Sequence, residues 1–375
     1  EFRRVLFRSV DGVESNDPFG LKGDGTNALR SPVALDSLQA IDIQLTPFDV
    51  RRAGFTGVLI NTITKSGSNE FHGSVKYEFT NQDYRAKNPN TTSALFGTRE
   101  PFKERSYNYS LGGPIIRNRL FFYANYDDYK RTAAPPATSF KYTDQTQIDA
   151  IVARAKSLNY DVGSLGGSGS TITTQKTKLA KLDWNISDGQ RLTATYRNNE
   201  GITPVFAGLT SNFGQSFSNY WYDAPQKSTV YSAVLNSQWT SDFHTEATVT
   251  YTEWNGSPKN RGAAFPAVQI NGLTGVRGDT GATITTGSVL FGTEFSRQLN
   301  QVYTKNWQSK LHGDYAIGNH TITVGGESDQ IKYYNAFAQG FYGSYTFANV
   351  AAWVAGTPVT TYTDAKLNPG YTLDD

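Results

Sequence analysis

Residues 54–79 read GFTGVLINTITKSGSNEFHGSVKYEF, and two kinds of structure meet inside them. An apolar run rich in β-branched residues, Val58-Leu59-Ile60-Asn61-Thr62-Ile63, ends at the polar turn Lys65-Ser66-Gly67-Ser68-Asn69. Strict alternation begins after the turn: Val75, Tyr77 and Phe79 fall on one face of an extended chain, and Ser74, Lys76 and Glu78 on the other. A half-buried strand of a soluble protein does the same. The fold is decided by how often the pattern recurs and by what separates the repeats.

It recurs eight more times. The apolar faces are Tyr107, Tyr109 and Leu111; Leu120, Phe122, Ala124 and Tyr126; then Ala180, Leu182, Trp184 and Ile186; and Leu192, Ala194 and Tyr196. Tyr231, Ala233, Leu235 and Trp239 follow, then Phe243, Ala247, Val249 and Tyr251, with weaker repeats over 302–315 and 320–334. The intervening connections alternate. Those at 81–104, 130–171, 200–227 and 257–300 are long, and those at 113–118, 187–189, 240–242 and 317–319 are short. In an up-and-down meander, such sorting places every long loop at one end and every tight turn at the other. Loops longer than about 12–15 residues are uncommon in compact soluble domains. The predicted fold class is therefore all-β: part of an antiparallel transmembrane β-barrel with about nine strands and long extracellular loops. Its wet face, carrying Lys76, Glu78, Lys181, Asp183, Arg197, His244 and Glu246, lines the lumen. Tyr77, Phe79, Trp184, Trp239 and Phe243 fall near strand ends as interfacial girdles.

Composition agrees with this reading. The 375 residues include 22 Tyr, 22 Phe, 6 Trp and 35 Gly, a composition suited to strands and turns. Lys and Arg total 35 against 33 Asp and Glu, a balance that gives no reason to expect a nucleic-acid partner. Without cysteine there are no disulfides or thiolate metal sites. No apolar run approaches the roughly 20 residues of a transmembrane helix, so any membrane crossing is made by strands. Residues 1–9, EFRRVLFRS, follow neither period and read as non-native sequence; the chain as a whole reads as an internal piece of something longer.

The strings VDGVESNDPFGL, LRSPVALDSLQAIDIQLTPFDVRRAGFTG and INTITKSGSNEFHGS, in this order, resemble the end of the plug domain in TonB-dependent outer-membrane receptors, in particular the Oar-like branch. LGGPIIRNRLFFYANYD is similar to that family's second strand, tight turn and third strand. The resemblance is specific over about residues 10–128. It implies a plug at about residues 10–68 and the N-terminal part of a barrel of about 22 strands at 69–375. It also implies the bacterial cell outer membrane as location, with outer-membrane lipid around the barrel. The whole protein would bind a ligand at the cell surface and import it, driven by the TonB energy-transducing complex through a region outside this chain. The ligand itself is unknown from the sequence. Competing readings are a non-transporting structural or adhesin-like barrel and a soluble β-sandwich binding module.

Two clusters in the long loops offer aromatic and charged contacts to a ligand: Asp83-Tyr84-Arg85 and Tyr220-Trp221-Tyr222, the second better suited to an aromatic girdle or to loop packing. In the part resembling the plug, Arg51 and Arg52 are candidates for a lock on lumen carboxylates such as Glu78 or Asp183. His72, His244, His312 and His320 lack metal-ligand spacing, so no metal or other cofactor is expected. No catalytic constellation emerges, and the chain is not expected to be an enzyme.

Overall fold

A computed structural model of the chain describes residues 6–16, 28–45, 50–51, 58–85, 101–136, 140–166, 171–209, 214–277 and 280–362. Twenty strands, β1 to β20 in chain order, and two α-helices occur among them, arranged as an inner sheet, a wall and a cap.

The inner sheet holds β1 (Leu6–Val10), β2 (Val13–Glu14), β3 (Leu38–Gln44) and β4 (Val58–Thr64), in the order β2-β1-β4-β3. β1 runs parallel to β4, with Leu6 opposite Val58 and Val10 opposite Thr62. The expected boundary at residue 10 thus falls inside a strand. Ladder hydrogen bonds use the main chain, so a stretch without side-chain periodicity can still pair.

The wall is a nine-strand antiparallel meander: β5 (His72–Asn81), β6 (Phe102–Ile116), β7 (Leu120–Ala133), β9 (Thr171–Ser187), β10 (Gln190–Val205), β12 (Tyr222–Gln238), β13 (Phe243–Asn255), β17 (Leu299–Ile317) and β18 (His320–Ala338). The two-residue β14 (Lys259–Asn260) pairs beside β12. All nine alternating segments are strands, and long and short connections alternate as expected. The tight turns are chemically marked: Asn118 and Gly318 both take positive φ, at 63° and 59°.

The wall sorts its residues inside out. Leu182, Trp184, Tyr231, Trp307 and Leu311 are exposed, while their neighbours Lys181, Asp183, Arg197, Thr250 and Thr304 are buried. The buried polar face meets the inner sheet. Its Asp36 reaches Lys76 on β5 and its Arg51 reaches Asp314 on β17. Those strands lie seven positions apart, about 34 Å along a flat sheet, so contact at both requires the wall to curve around the inner sheet. The chain passes from one to the other so tightly that a Cβ on Gly67 would strike the main-chain oxygens of Phe122 and Gly113.

The long connections carry secondary structure of their own, which forms the cap. Segments from the long connections form β8 (Phe140–Tyr142), β11 (Gly214–Ser216), β15 (Ala267–Arg277) and β16 (Thr283–Phe291); β19 (Ser344–Phe347) and β20 (Thr360–Tyr362) follow the last wall strand. They make one six-stranded sheet, covered by α1 (Gln145–Ser157) and α2 (Val350–Ala355). Ile148, Ile151 and Ala155 recur at helical spacing on α1 and pack with Ile270, Leu273, Phe291 and Trp353 into a buried core. The apolar run Val350-Ala351-Ala352-Trp353-Val354-Ala355 is the short helix α2. No helix among the described residues is long and apolar enough to cross a membrane.

Candidate functional site at the lumen interface

The deepest contact between inner sheet and wall starts at the Asp11-Gly12 turn joining β1 and β2, where both residues take positive φ, at 52° and 78°. The Asp11 carboxylate accepts from the Thr64 amide at 2.8 Å and from the Thr64 hydroxyl at 2.6 Å, tying the turn to the end of β4. Lys181, from the wall, closes the group: its Nζ lies 3.7 Å from the Asp11 Oδ1 and donates to the Thr64 carbonyl at 3.3 Å. Thr64 and Lys181 are buried. Arg197 is also buried beside the group and feels the charge of Asp11, and its Nη2 has no hydrogen-bond partner among the described residues. Two cations and one carboxylate withdrawn from water are held together because separating them leaves a charge without compensation.

Three further contacts ring this centre. The Asp36 carboxylate meets Lys76 at 3.6 Å, and its main-chain oxygen accepts from Lys65 at 2.8 Å. Gln175 and Asn199, side by side on the lumen face, donate to the Ser31 and Pro32 carbonyls at 3.1 and 2.9 Å, while the Arg30 guanidinium stacks 3.8 Å over the Tyr129 ring. Arg51 reaches Asp314 at 3.6 Å, a wetted pair in which Asp314 also faces His244 at 3.9 Å. Between Arg51, the β1–β2 turn and the wall residues Glu246, Lys310, Glu327 and Asp329 lies a polar cavity of about 540 Å³. Burial there, with Asp329 nearby, pushes the Glu14 carboxyl above its ordinary range.

Arg51 meets the lumen carboxylate Asp314, and neither Glu78 nor Asp183, the two carboxylates named as examples for it. Asp183 accepts from Arg191 at 2.7 Å and from Thr193 at 2.9 Å, both on the adjoining wall strand, and Glu78 pairs with Lys76 at 3.0 Å. Neighbours on the same face engage these carboxylates first, across the strands for Asp183 and along β5 for Glu78, and the Asp183 Oδ2 has no hydrogen-bond partner among the described residues. Arg52 lies outside the described residues.

The two aromatic clusters are not brought together. β5 and β12, which border them, have four other wall strands between them. Asp83, Tyr84 and Arg85 are exposed; Tyr84 packs edge-on against the outward-facing Phe79, and Arg85 stacks 4.0 Å over Phe102. Tyr220 and Trp221 are buried under the cap, where Trp221 Nε1 donates to the Ser216 hydroxyl at 2.8 Å, and Arg297 lies 5.3 Å over the Tyr222 ring. Burial pushes the Tyr220 hydroxyl up to about 12. Sequence reasoning gave Asp11, Asp36, Gln175 and Asn199 no role. The Asp-Gly turn was the one local signal, and it identifies a turn without its partner. Among the described residues no group of His, Asp or Glu could hold a metal ion.

Residues 63–161 match the family model of the outer membrane beta barrel domain. The TonB-dependent transporter Oar of Myxococcus xanthus is 32% identical over 229 residues, covering 53% of this chain and 20% of that protein. Among solved structures, the outer membrane transporter YddB from Escherichia coli superposes with a TM-score of 0.61 at 15% identity, over 96% of this chain and 44% of that one. A mutant of the ferric enterobactin receptor PfeA from Pseudomonas aeruginosa gives 0.50 at 15% identity, over 88% and 41%. The chain spans a fifth of Oar and under half of the two solved proteins. It is thus related in sequence to a TonB-dependent transporter, carries an outer-membrane β-barrel domain, and is located in the bacterial outer membrane.

Proposed function

We propose that residues 10–68 are the end of a plug and residues 69–375 the first part of the barrel of a TonB-dependent receptor, which binds a ligand at the long-loop end and imports it when the plug is displaced. The observation that carries this reading is the polar, ionised packing of the inner sheet against the buried face of an inside-out wall. A permanent structural core would be better served by apolar contact, because buried ion pairs recover little of their desolvation cost. The interface is graded. Asp36–Lys76 and Arg51–Asp314 are wetted pairs, of a kind worth about 0–1 kcal/mol each, whereas Asp11–Lys181 is withdrawn from water. A pull transmitted from the inner membrane would break the outer contacts first and the Asp11 group last.

The test is potassium chloride conductance of the full-length protein in planar bilayers, together with its retention of the TonB periplasmic domain. Arg51→Gln with Asp36→Asn should raise the frequency of openings modestly. Asp11→Asn should raise it far more, because it leaves Lys181 buried without its carboxylate, a loss of about 3–5 kcal/mol. Sealed channels in every variant and no TonB retention would sink the transporter reading. They would favour a non-transporting barrel that displays the cap, a second reading supported by the cap's own packed core.

A further inference from the structure

Where the inner sheet sits deepest against the wall, the buried charges do not balance. Three charged wall residues lie close together on the lumen face: Lys181 and Asp183, two residues apart on β9, and Arg197 on the neighbouring β10, diagonal to Lys181 in the pairing register. Each is buried, and each is treated differently. Lys181 is engaged by the inner sheet, through Asp11 and Thr64. Asp183 is engaged within the wall, by Arg191 and Thr193.

Arg197 is engaged by neither. Its register partners are Leu179 on β9 and Val230 on β12, both buried and apolar, and the residues sharing its face along β10 are the uncharged Thr195 and Asn199. A guanidinium carries five N–H donors in a fixed plane. Here Nη2 has no hydrogen-bond partner among the described residues, and it is closed to solvent, so neither a water molecule nor a small anion reaches it. The charge that Arg197 does feel is Asp11. That carboxylate is already committed: its two oxygens accept from Thr64, and Lys181 stands 3.7 Å from Oδ1. One carboxylate thus serves two buried cations, and the three groups sum to one positive charge. Taking a guanidinium out of water without a partner opposes the seated arrangement more than a shared attraction to Asp11 supports it.

We propose that Arg197 is a release residue: its charge is buried while the inner sheet is seated and regains water when the sheet is displaced, which lowers the work of displacement. This role rests on residues 10–68 being a displaceable plug, and it sets Arg197 against Lys181. Lys181 holds the seat, and Arg197 loosens it. A side chain suited only to holding the sheet would be apolar at this position, between Leu179 and Val230, or would face a carboxylate of its own.

Arg197→Met keeps the length of the side chain and removes the charge. Hydrogen exchange of the full-length protein in mild detergent should slow about tenfold at residues 10–14 and 58–64, as expected when a buried charge is replaced by a packed apolar group. Exchange in the wall strands β9 and β10 should stay as it was. Openings in planar bilayers should become rarer by a similar factor. Arg197→Lys, which keeps the charge, should show neither change. Added to Asp11→Asn, Arg197→Met should recover part of the protection that the first substitution removes, because one uncompensated cation then remains instead of two. Unchanged or faster exchange in the Met variant would overturn the proposal, as would a deeper loss in the double variant. Equal slowing in the Lys variant would assign the effect to packing and overturn it too. Slower exchange in the Met variant alone, with channels sealed in every protein, would uphold the action of Arg197 on the seat while sinking the transporter reading.

Discussion

The wall and the cap follow opposite rules within one chain. The wall exposes Leu182, Tyr231 and Trp307 and buries Lys181, Asp183 and Arg197; the cap buries Ile151, Phe217, Ile270, Phe291 and Trp353. The difference lies in the solvent. Hydrocarbon surrounds the wall, so apolar side chains cost nothing outside and polar groups gather where the inner sheet can pair them. Water surrounds the cap, so its segments stay folded only by burying apolar surface as any soluble domain does. Segments emerging from a barrel thus need not be loose connections. Here pieces of three loops and the chain after β18 share one core.

The largest effect should come from breaking that core. Phe291 is fully buried, with its ring 5.3 Å from Trp353 and 6.2 Å from Phe217. Phe291→Ala should cost the cap about 3–5 kcal/mol. Hydrogen exchange of the full-length protein should show protection lost in β15, β16 and α1 and retained in the wall. Equal loss in the wall would mean that cap and wall form one cooperative unit, and the contrast between them would fail.

The next effect separates the two faces of a single wall strand. Leu182→Arg should impair refolding into lipid vesicles by about 2–4 kcal/mol if the residue lies near the midplane. Asn236→Arg, on the lumen face and opposite Glu246, should cost about 0.5 kcal/mol. Facing the lumen does not by itself make a position tolerant. Asp183 is buried and already paired with Arg191, so an arginine there would set two guanidinium groups together and should be poorly tolerated. Similar costs at Leu182 and Asn236 would argue for a wall buried on both sides.

The contrast between wall and cap also explains what could be read in the sequence. The wall's strands are long, and each pairs with its neighbour along the chain, so periodicity and turn spacing sufficed to find all nine. The cap's β8, β11, β19 and β20 have three or four residues each. β11 pairs in parallel with β16, and β19 in parallel with β15, across long separations in the chain. No local pattern announces such ladders. The lumen interface was half legible for the same reason. Alternation marked Lys181 as lumen-facing, but its partner Thr64 lies 117 residues away. Asp183 was assigned a distant lock, whereas Arg191, eight residues on across a tight turn, takes it first.

The smallest effect tests whether the cap responds to pH as a water-facing domain. Glu294 caps the short turn 295–297: its carboxylate accepts from the Ser296 amide at 2.9 Å and lies 3.7 Å from Arg297. Burial pushes this carboxyl above its ordinary 4.5, against the pull of Arg297 and the turn amides. An opened cap would release the proton near the ordinary value, while the closed cap still holds it. The closed state is therefore favoured below the ordinary value, and that contribution is lost as pH rises through the raised one, with no further change above it. Asp144, at the start of α1, works the other way. Thr146 holds its carboxyl below the ordinary 3.8, so its contribution is present at neutral pH and lost only in stronger acid. Amide exchange around 294–298, corrected for its intrinsic pH dependence, should be slower near pH 5 than near pH 7. Glu294→Gln should remove most of that difference, since an amide stays neutral in both states. The same pH difference in the Gln variant would show that another group governs opening, and Glu294 would then be no more than a turn cap.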